Sequence, residues 1–281
     1  MRLLNIIRTH KKPTMQGIFE YLKPMETLHK KEETQFDHIE LEKMKMVYKT
    51  DMKTMTLRVT NEQERQLSVV GLRLADYARS KMEVELDTQN EIKIYEMMRE
   101  LGSKNPSIKP IRFAWLKNLI TKWFGYRFLP KFNDINTLGA FIHRSAGEGY
   151  KYNYKGSYNF IVVNSRVASA LQEHPAFVHA PLEQKTFAGE IEKIGVLSNR
   201  ITVYANRYLP FSDETIVYGF SGTEVDAGVH YFFVNREVIE TQSPEHMAKT
   251  YSLIEHSQIL ATPESNTIYY TQQIQLAKGL I

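Results

Sequence analysis

The sequence predicts an α+β protein, and three stretches carry that prediction. Residues 201–234 hold three apolar, β-branched or aromatic runs (201–204, 215–220 and 229–234) parted by Pro210-Phe211-Ser212-Asp213 and by residues 222–228, the pattern of consecutive strands and turns. Residues 39–59 alternate apolar and charged side chains with period two, which predicts strands with one wet face. Residues 61–101 instead repeat apolar side chains at helical spacing, interrupted by no Pro and by Gly71 alone among glycines.

Composition bounds the rest. A chain of 281 residues buries a substantial core, as one large domain or two closely joined ones. With 24% charged and 42% hydrophobic residues it has the balance of a soluble globular protein, and a net charge of +4 is too weak to declare a nucleic-acid binder. The absence of cysteine excludes disulfides and thiolate metal sites and fits folding inside a cell. No apolar run approaches the roughly 20 residues that span a bilayer, so no membrane partner is expected. The start, cut short by Arg8, Lys11, Lys12 and Pro13, does not have the form of a signal peptide.

In chain order, residues 1–31 carry seven Lys or Arg and two Glu, with Pro13 and Pro24 interrupting any helix; they predict an extended or partly helical arm (1–35) outside the core, or a frayed terminus. Residues 36–60 predict a charged β-hairpin turning near Thr50-Asp51, with Lys43, Lys45, Lys49 and Lys53 as its cationic side chains. Either a wet interface or a solvated edge produces that alternation. Thr60-Asn61-Glu62-Gln63 has the form of a capping box, and Gly102 closes the run it opens. Leu67, Val70, Leu74, Tyr77, Ala78, Met82 and Leu86, then Ile94, Met98 and Leu101, share one face of a helix that would extend roughly 60 Å at 1.5 Å per residue.

Residues 104–131 combine seven basic residues, no acidic one, and Phe113, Trp115, Trp123, Phe124, Tyr126 and Phe128. Basic side chains among aromatics suit phosphate and base contacts. Phe113, Leu116, Ile120 and Phe124 also fall on one helical face, which favours an amphipathic helix with its lysines in water. A further helix spans 135–146, stopped by Gly147-Glu148-Gly149; Tyr150, Tyr152, Tyr154 and Tyr158 then lead into a strand at 160–163. Strands follow to 205 with a turn at Ser198-Asn199. Near-continuous hydrophobicity in 215–220 predicts a strand covered on both faces. Gly219 and Asp226-Ala227-Gly228 are read as structural turn positions, since a short acid bonds nearby N–H groups and glycine tolerates positive φ. Beyond 238, short strands at 249–254, 258–261 and 267–271 are expected, the first two joined by Glu255-His256-Ser257.

Catalytic constellations are not found. No His pair has the i, i+4 spacing with Glu of zinc hydrolases, Ser165 and Ser221 lack the G-x-S-x-G elbow, and no G-x-x-x-x-G-K loop occurs. Gly219-Phe220-Ser221-Gly222 has the G-x-x-G form but follows a strand rather than joining helices. A non-enzymatic protein without metal or cofactor is therefore expected.

Two of these stretches also carry a resemblance. Tyr218-Gly219-Phe220, Asp226-Ala227-Gly228 and Tyr231-Phe232, with the upstream Tyr158-Asn159-Phe160-Ile161-Val162-Val163-Asn164-Ser165 and residues 166–171, are similar in form and order to the major capsid proteins of T-even-like tailed phages. The resemblance implies an HK97-like fold: N-terminal arm (1–35), extended β-hairpin loop (36–60), peripheral domain with a long spine helix (61–153), axial domain (154–212) and a return into axial and peripheral β structure (213–281). It implies self-assembly as hexamers and pentamers into an icosahedral virion shell around double-stranded DNA, in the host cytoplasm, with portal, scaffold and decoration proteins as further partners. Within it, Lys43, Lys45, Lys49 and Lys53 belong to a loop reaching a neighbouring subunit, and Lys117, Lys122 and Arg127 face packaged DNA. Ile18-Phe19-Glu20 has the form of the family's prohead-protease site. The chain is shorter than T-even-like subunits, and no stretch is evident for their inserted domain. An encapsulin-like compartment shell and a nucleic-acid-binding module built on 104–131 are the alternative functions.

Overall fold

In the computed structural model, residues 4, 6–22, 43–69, 73–105, 129–148, 157–181, 191–221, 228–243, 248–263, 265 and 268–277 are described. Two sheets share one helix. The larger has six strands in the order β13(Tyr269–Gln273), β10(Thr215–Gly219), β6(Phe160–Asn164), β9(Ile201–Asn206), β8(Ile191–Leu197), β7(Phe177–His179). Only β6 and β9 run parallel; the other neighbours are antiparallel. The smaller sheet has the order β1(Arg8–Lys11), β11(Val229–Ser243), β12(Ala248–Ala261), β4(Asp51–Thr60). Two ribbons make up the rest of the β structure among the described residues: β2(Gln16–Leu22) with β3(Lys43–Lys49), and β5(Lys131–Phe132) with β14(Gln275–Leu276).

The six-stranded sheet is covered on both faces, which is why its central strands are apolar throughout. Every residue of β6 and β10 is buried. Ile161, Val163, Val203, Ile216 and Tyr218 meet Leu138 and Ile142 of α3(Ile135–Glu148) and Val167 and Leu171 of α4(Ser165–Gln172). Phe160, Val162, Tyr204 and Val217, one residue out of phase, meet Ile94, Tyr95 and Met98 of α2(Leu74–Ser103). Period two places alternate side chains on opposite faces, and here both faces are core.

At its other end, α2 sets Ala78, Met82 and Leu86 against Val59, Tyr251 and Leu253 of the four-stranded sheet. One helix thus ties the sheets together through two separate apolar clusters. Its 30 residues span about 45 Å at 1.5 Å each. The single helix expected from 61 to 101 is instead two, α1(Asn61–Val69) and α2, because Arg73 is extended at φ −75°, ψ 123° and interrupts the ladder. Gly71 lies outside the described residues. The capping box forms as read: Thr60 N–H donates to Gln63 Oε1 at 3.0 Å, and Gln63 N–H to Thr60 Oγ1 at 3.4 Å.

Three pairings differ from expectation. The period-two strands exist and part at Thr50, but β3 and β4 do not form a hairpin. β3 pairs antiparallel with β2, Gln16 opposite Lys49 through Leu22 opposite Lys43, while β4 pairs with β12. Alternation specifies a strand's faces and leaves its partner open. Residues 8–22, expected as an arm outside the core, form β1, parallel to β11, and β2, whose Phe19 and Tyr21 join Tyr48 and Phe232 in a buried aromatic cluster. The middle residue of Ile18-Phe19-Glu20 is therefore buried within a paired strand. The segments 249–254 and 258–261 are one strand, β12, and Glu255-His256-Ser257 lie inside it.

Turn chemistry accounts for two tight reversals. Ser198 and Asn199, at φ 48° and 54°, are the left-handed central residues of the turn between β8 and β9, closed by Arg200 N–H donating to the Leu197 carbonyl at 3.1 Å; three residues separate the paired Leu197 and Ile201. Gly228 has φ +138°, a region L side chains rarely adopt, and enters β11 with its N–H donating to Thr262 Oγ1 at 3.0 Å. Gly219 is not a turn residue but a strand position, facing Tyr269 and Phe160 on either side. A Cβ there would press into the Phe160 ring, 2.6 Å from Cε1 and nearer still to Cζ, so glycine is required by close approach. Asp226 and Ala227 lie outside the described residues. Among the described residues no helix is long and apolar enough to cross a membrane.

Candidate functional site: two surfaces and a buried polar seam

The β2–β3 ribbon has two unlike faces. Phe19, Tyr21 and Tyr48 turn inward onto Phe232, with Tyr48 stacked on that ring at 5.2 Å between centroids. The neighbouring histidines hold β1 in place, His10 Nε2 lying 3.1 Å from His230 Nδ1. Outward, Ile18 and Val47 are cross-strand partners and stand 61% and 72% exposed. Lys43, Lys45 and Lys49 are exposed on that same outward face, with Lys45 3.3 Å from Glu20. Three of the four lysines singled out from sequence thus share one solvent-facing ribbon.

Lys53 is different. On β4 it points under α2, where its Nζ donates to Asn90 Oδ1 at 2.6 Å and lies 3.8 Å from Glu255 Oε1. Burial lowers its pKa, partly offset by the Glu255 charge. An exposed interfacial lysine is the wrong description of it: the alternation of β4 puts residue 53 on the inner face.

Lys53 belongs to a polar seam between the middle of α2 and the four-stranded sheet. Glu255, wholly buried, accepts from Ser257 Oγ at 2.5 Å, Asn90 Nδ2 at 3.2 Å and Arg236 Nε at 2.8 Å. Arg236 also donates to Asp87 Oδ1 at 2.8 Å, so its guanidinium ties sheet to helix. Burial by itself would push the Glu255 carboxyl up; donation from Ser257 and Tyr231, together with the charge and hydrogen bonds of Arg236, outweighs it and holds the carboxyl below the usual range. The seam lies between the two apolar clusters that grip the ends of α2. Sequence reading missed it by taking Glu255-His256-Ser257 as a connection. The signal was present: Tyr251, Leu253, Glu255 and Ser257 continue one period-two face without interruption.

The second surface is the loop from β9 to β10. Asn164, the N-cap of α4, accepts from Val167 N–H at 2.9 Å and donates its amide to the carbonyls of Pro210 and Phe211 at 3.1 and 3.2 Å. Arg99 of α2 grips Asp213 with both terminal nitrogens, at 2.7 and 3.4 Å. Glu214 receives Arg166 and the N–H of Leu276, each at 2.6 Å. Lys117, Lys122 and Arg127 lie outside the described residues. Among the described residues no group of three or more His, Asp or Glu side chains is arranged to hold a metal ion. The geometry is that of surfaces and braces rather than of reacting groups.

The same architecture recurs in solved shells. The chain superposes on the capsid of Ralstonia phage GP4 with a TM-score of 0.55 at 8% identity, covering 96% of this chain and 87% of that one. For the structure from Microbacterium phage Oxtober96 the TM-score is 0.53 at 9% identity, with 98% and 90% covered. The holo-SrpI encapsulin complex from Synechococcus elongatus PCC 7942 gives 0.51 at 9% identity, with 97% and 87% covered. At such identities the likeness shows a fold, and that fold is HK97-like. Curated protein sequences yield no match. A family model described as major capsid protein Gp23 matches residues 131–274, just over half of the 281 residues and the whole of the six-stranded sheet with its two helices. The chain belongs to the Gp23 family of major capsid proteins, and is a structural, non-enzymatic component of a virion shell.

Proposed function

We propose that copies of this chain associate as hexamers and pentamers and close an icosahedral shell around double-stranded DNA, assembling in the host cytoplasm. Membership of the capsid family carries the reading, and the exposed outer face of the β2–β3 ribbon supports it. Within the subunit, residues 154–212, which hold β6 to β9 and α4, serve as the axial domain; residues 61–153, with α1, α3 and α2 as the spine helix, serve as the peripheral domain; and residues 213–281 return through both. The ribbon, with Lys43, Lys45 and Lys49, is the loop that meets a neighbouring subunit; a rim of charge around an apolar centre is the usual anatomy of such contacts. Each contact is modest, and closure sums many of them.

Electron microscopy of the purified chain, alone or with its scaffold, tests this directly: closed particles are expected, and a monodisperse monomer over a wide concentration range refutes it. Nucleic acid inside the particles separates a virion shell from a compartment of encapsulin type, which would hold cargo protein. Portal, scaffold and decoration proteins are the remaining partners in this reading. Lys117, Lys122 and Arg127 are proposed to face the DNA. Replacing all three by Gln should lower the slope of log affinity of empty shells for DNA against log salt by roughly 0.9 for each phosphate no longer neutralised, and an unchanged slope removes them from that role.

A further inference from the structure

As folded, the seam under α2 is a brace of charges and hydrogen bonds. We propose that it also closes covalently: Lys53 of β4 condenses with Asn90 of α2 into an isopeptide bond within the one chain, Glu255 carrying the protons. The reaction is a single self-modification, without turnover or external substrate, and is independent of the shell reading. Lys53 Nζ lies 2.6 Å from Asn90 Oδ1. On the other side of the same amide, Asn90 Nδ2 donates to Glu255 Oε1 at 3.2 Å and to the Tyr231 hydroxyl at 3.3 Å. The amide is thus held between an amine and a carboxylate. Asn90 and Glu255 are shut off from solvent, and the fold has brought strand and helix residues 37 positions apart into contact. Reacting groups held this way act at effective concentrations of about 10⁵ M or more.

A countercharge role does not account for Lys53. Arg236 already meets Glu255 at 2.8 and 2.5 Å, whereas Lys53 stands 3.8 Å from that carboxylate and bonds the amide instead. Burial draws the lysine pKa down; Glu255 and Asp51 oppose that, and Lys93 and Arg236 add to it. Of the remaining neighbours, Asp87 is engaged by Arg236, and the Tyr231 ring centre lies 5.9 Å from Nζ. A desolvated lysine beside a base is the usual form of a nucleophilic amine. Glu255 takes one proton from Nζ, and the freed lone pair forms a bond to Asn90 Cγ while the carbonyl π pair moves onto Oδ1. The carboxyl then delivers its proton to Nδ2, the carbonyl re-forms, and the Cγ–Nδ2 bond breaks. The second Nζ proton passes through Glu255 to the departing ammonia. An amine cation and an amide become an amide and an ammonium ion, with no oxidant or co-reactant.

Intact-mass measurement of the full chain tests this, because closure removes one ammonia. The amine reacts only when neutral, so a freshly folded subunit retains its full mass and converts slowly. The rate should rise about tenfold per pH unit and level off below the ordinary lysine value of about 10.4. A tryptic digest of the converted chain should contain one branched peptide joining Lys53 to Asn90. Lys53→Arg should abolish the loss, and Glu255→Gln should slow it by about a hundredfold or more. A wild-type chain that keeps its full mass after prolonged incubation near pH 9, about where exposed lysine begins to lose its proton, overturns the proposal. So does a loss that persists in Lys53→Arg, which would place a cyclic imide at an asparagine instead. Should a variant fail to fold, the wild-type digest decides by itself: the branched peptide establishes the bond, and a mass loss without it refutes the bond.

Discussion

Replacing Glu255 by Gln probes the seam that joins α2 to the four-stranded sheet. The substitution keeps volume and hydrogen-bonding shape but removes the only wholly buried charge among the seam's carboxylates. Arg236 retains Asp87 at 2.8 Å and loses its closest anionic partner, while Lys53 loses the carboxylate 3.8 Å away. Stranding part of a buried cationic pair costs roughly 3 kcal/mol, within the range seen when one partner of a buried ion pair is removed. Urea unfolding of the unassembled subunit at pH 7 should show the midpoint fall with an unchanged slope, since the same surface is exposed. The pH dependence follows from the direction of the shift. The folded carboxyl lies below its ordinary value, so the unfolded chain takes up the proton first as pH falls. The stability due to Glu255 is complete above an unfolded pKa of about 4.3 and is lost as pH drops through the lower folded value. The gap between wild type and Glu255→Gln should therefore close in acid. A gap below about 1 kcal/mol at pH 7, or one that stays constant to pH 3, would refute the claim that this carboxylate holds helix to sheet.

Other expectations follow from single contacts. Gly219→Ala would drive a methyl into the buried Phe160 ring and should cost about 1–3 kcal/mol, read as a lowered melting temperature; an unchanged value would mean the ring yields freely. Asn164→Ala removes both the α4 cap and the brace on Pro210 and Phe211, and should cost about 1–2 kcal/mol and speed amide exchange in 210–213. Leu253→Ala empties a fully buried position between β12 and α2 and should cost about 2–5 kcal/mol in denaturant unfolding. Burial pushes the Tyr204 and Tyr269 phenols up to about 12. Unfolded tyrosine ionises near pH 10, so their contribution to stability is present below that and declines as pH rises toward 12, which ultraviolet titration of the folded chain against Tyr204→Phe will resolve.

How far the sequence could be read depended on which interactions were local. The strands at 160–164, 201–206 and 215–219, the Ser198-Asn199 reversal and the Thr60–Gln63 box are set by side-chain period, left-handed turn preference and bonds three residues apart, and all stand where the residues place them. Alternation in 43–60 likewise marked two strands and the point between them. The partners of those strands are more than 20 residues away for β3 and about 200 for β4. Period alone holds no information on which edge a strand will find.

The same division decides what counts as surface. Lys45 and Lys53 look alike in a charged, alternating run, yet one stands in water and the other lies against Asn90 and Glu255 under a helix. Glu255 and Ser257, polar residues in the middle of a strand, had the look of a connection because a buried carboxylate without visible partners is too unfavourable to expect. Arg236 and Asn90, 19 and 165 residues distant, remove that penalty. Secondary structure and family were thus contained in the chain's local patterns, where neighbours in sequence are neighbours in space. Pairing, burial of charge and the choice of outward face came only with the fold, because each is an energy between groups that sequence order keeps apart.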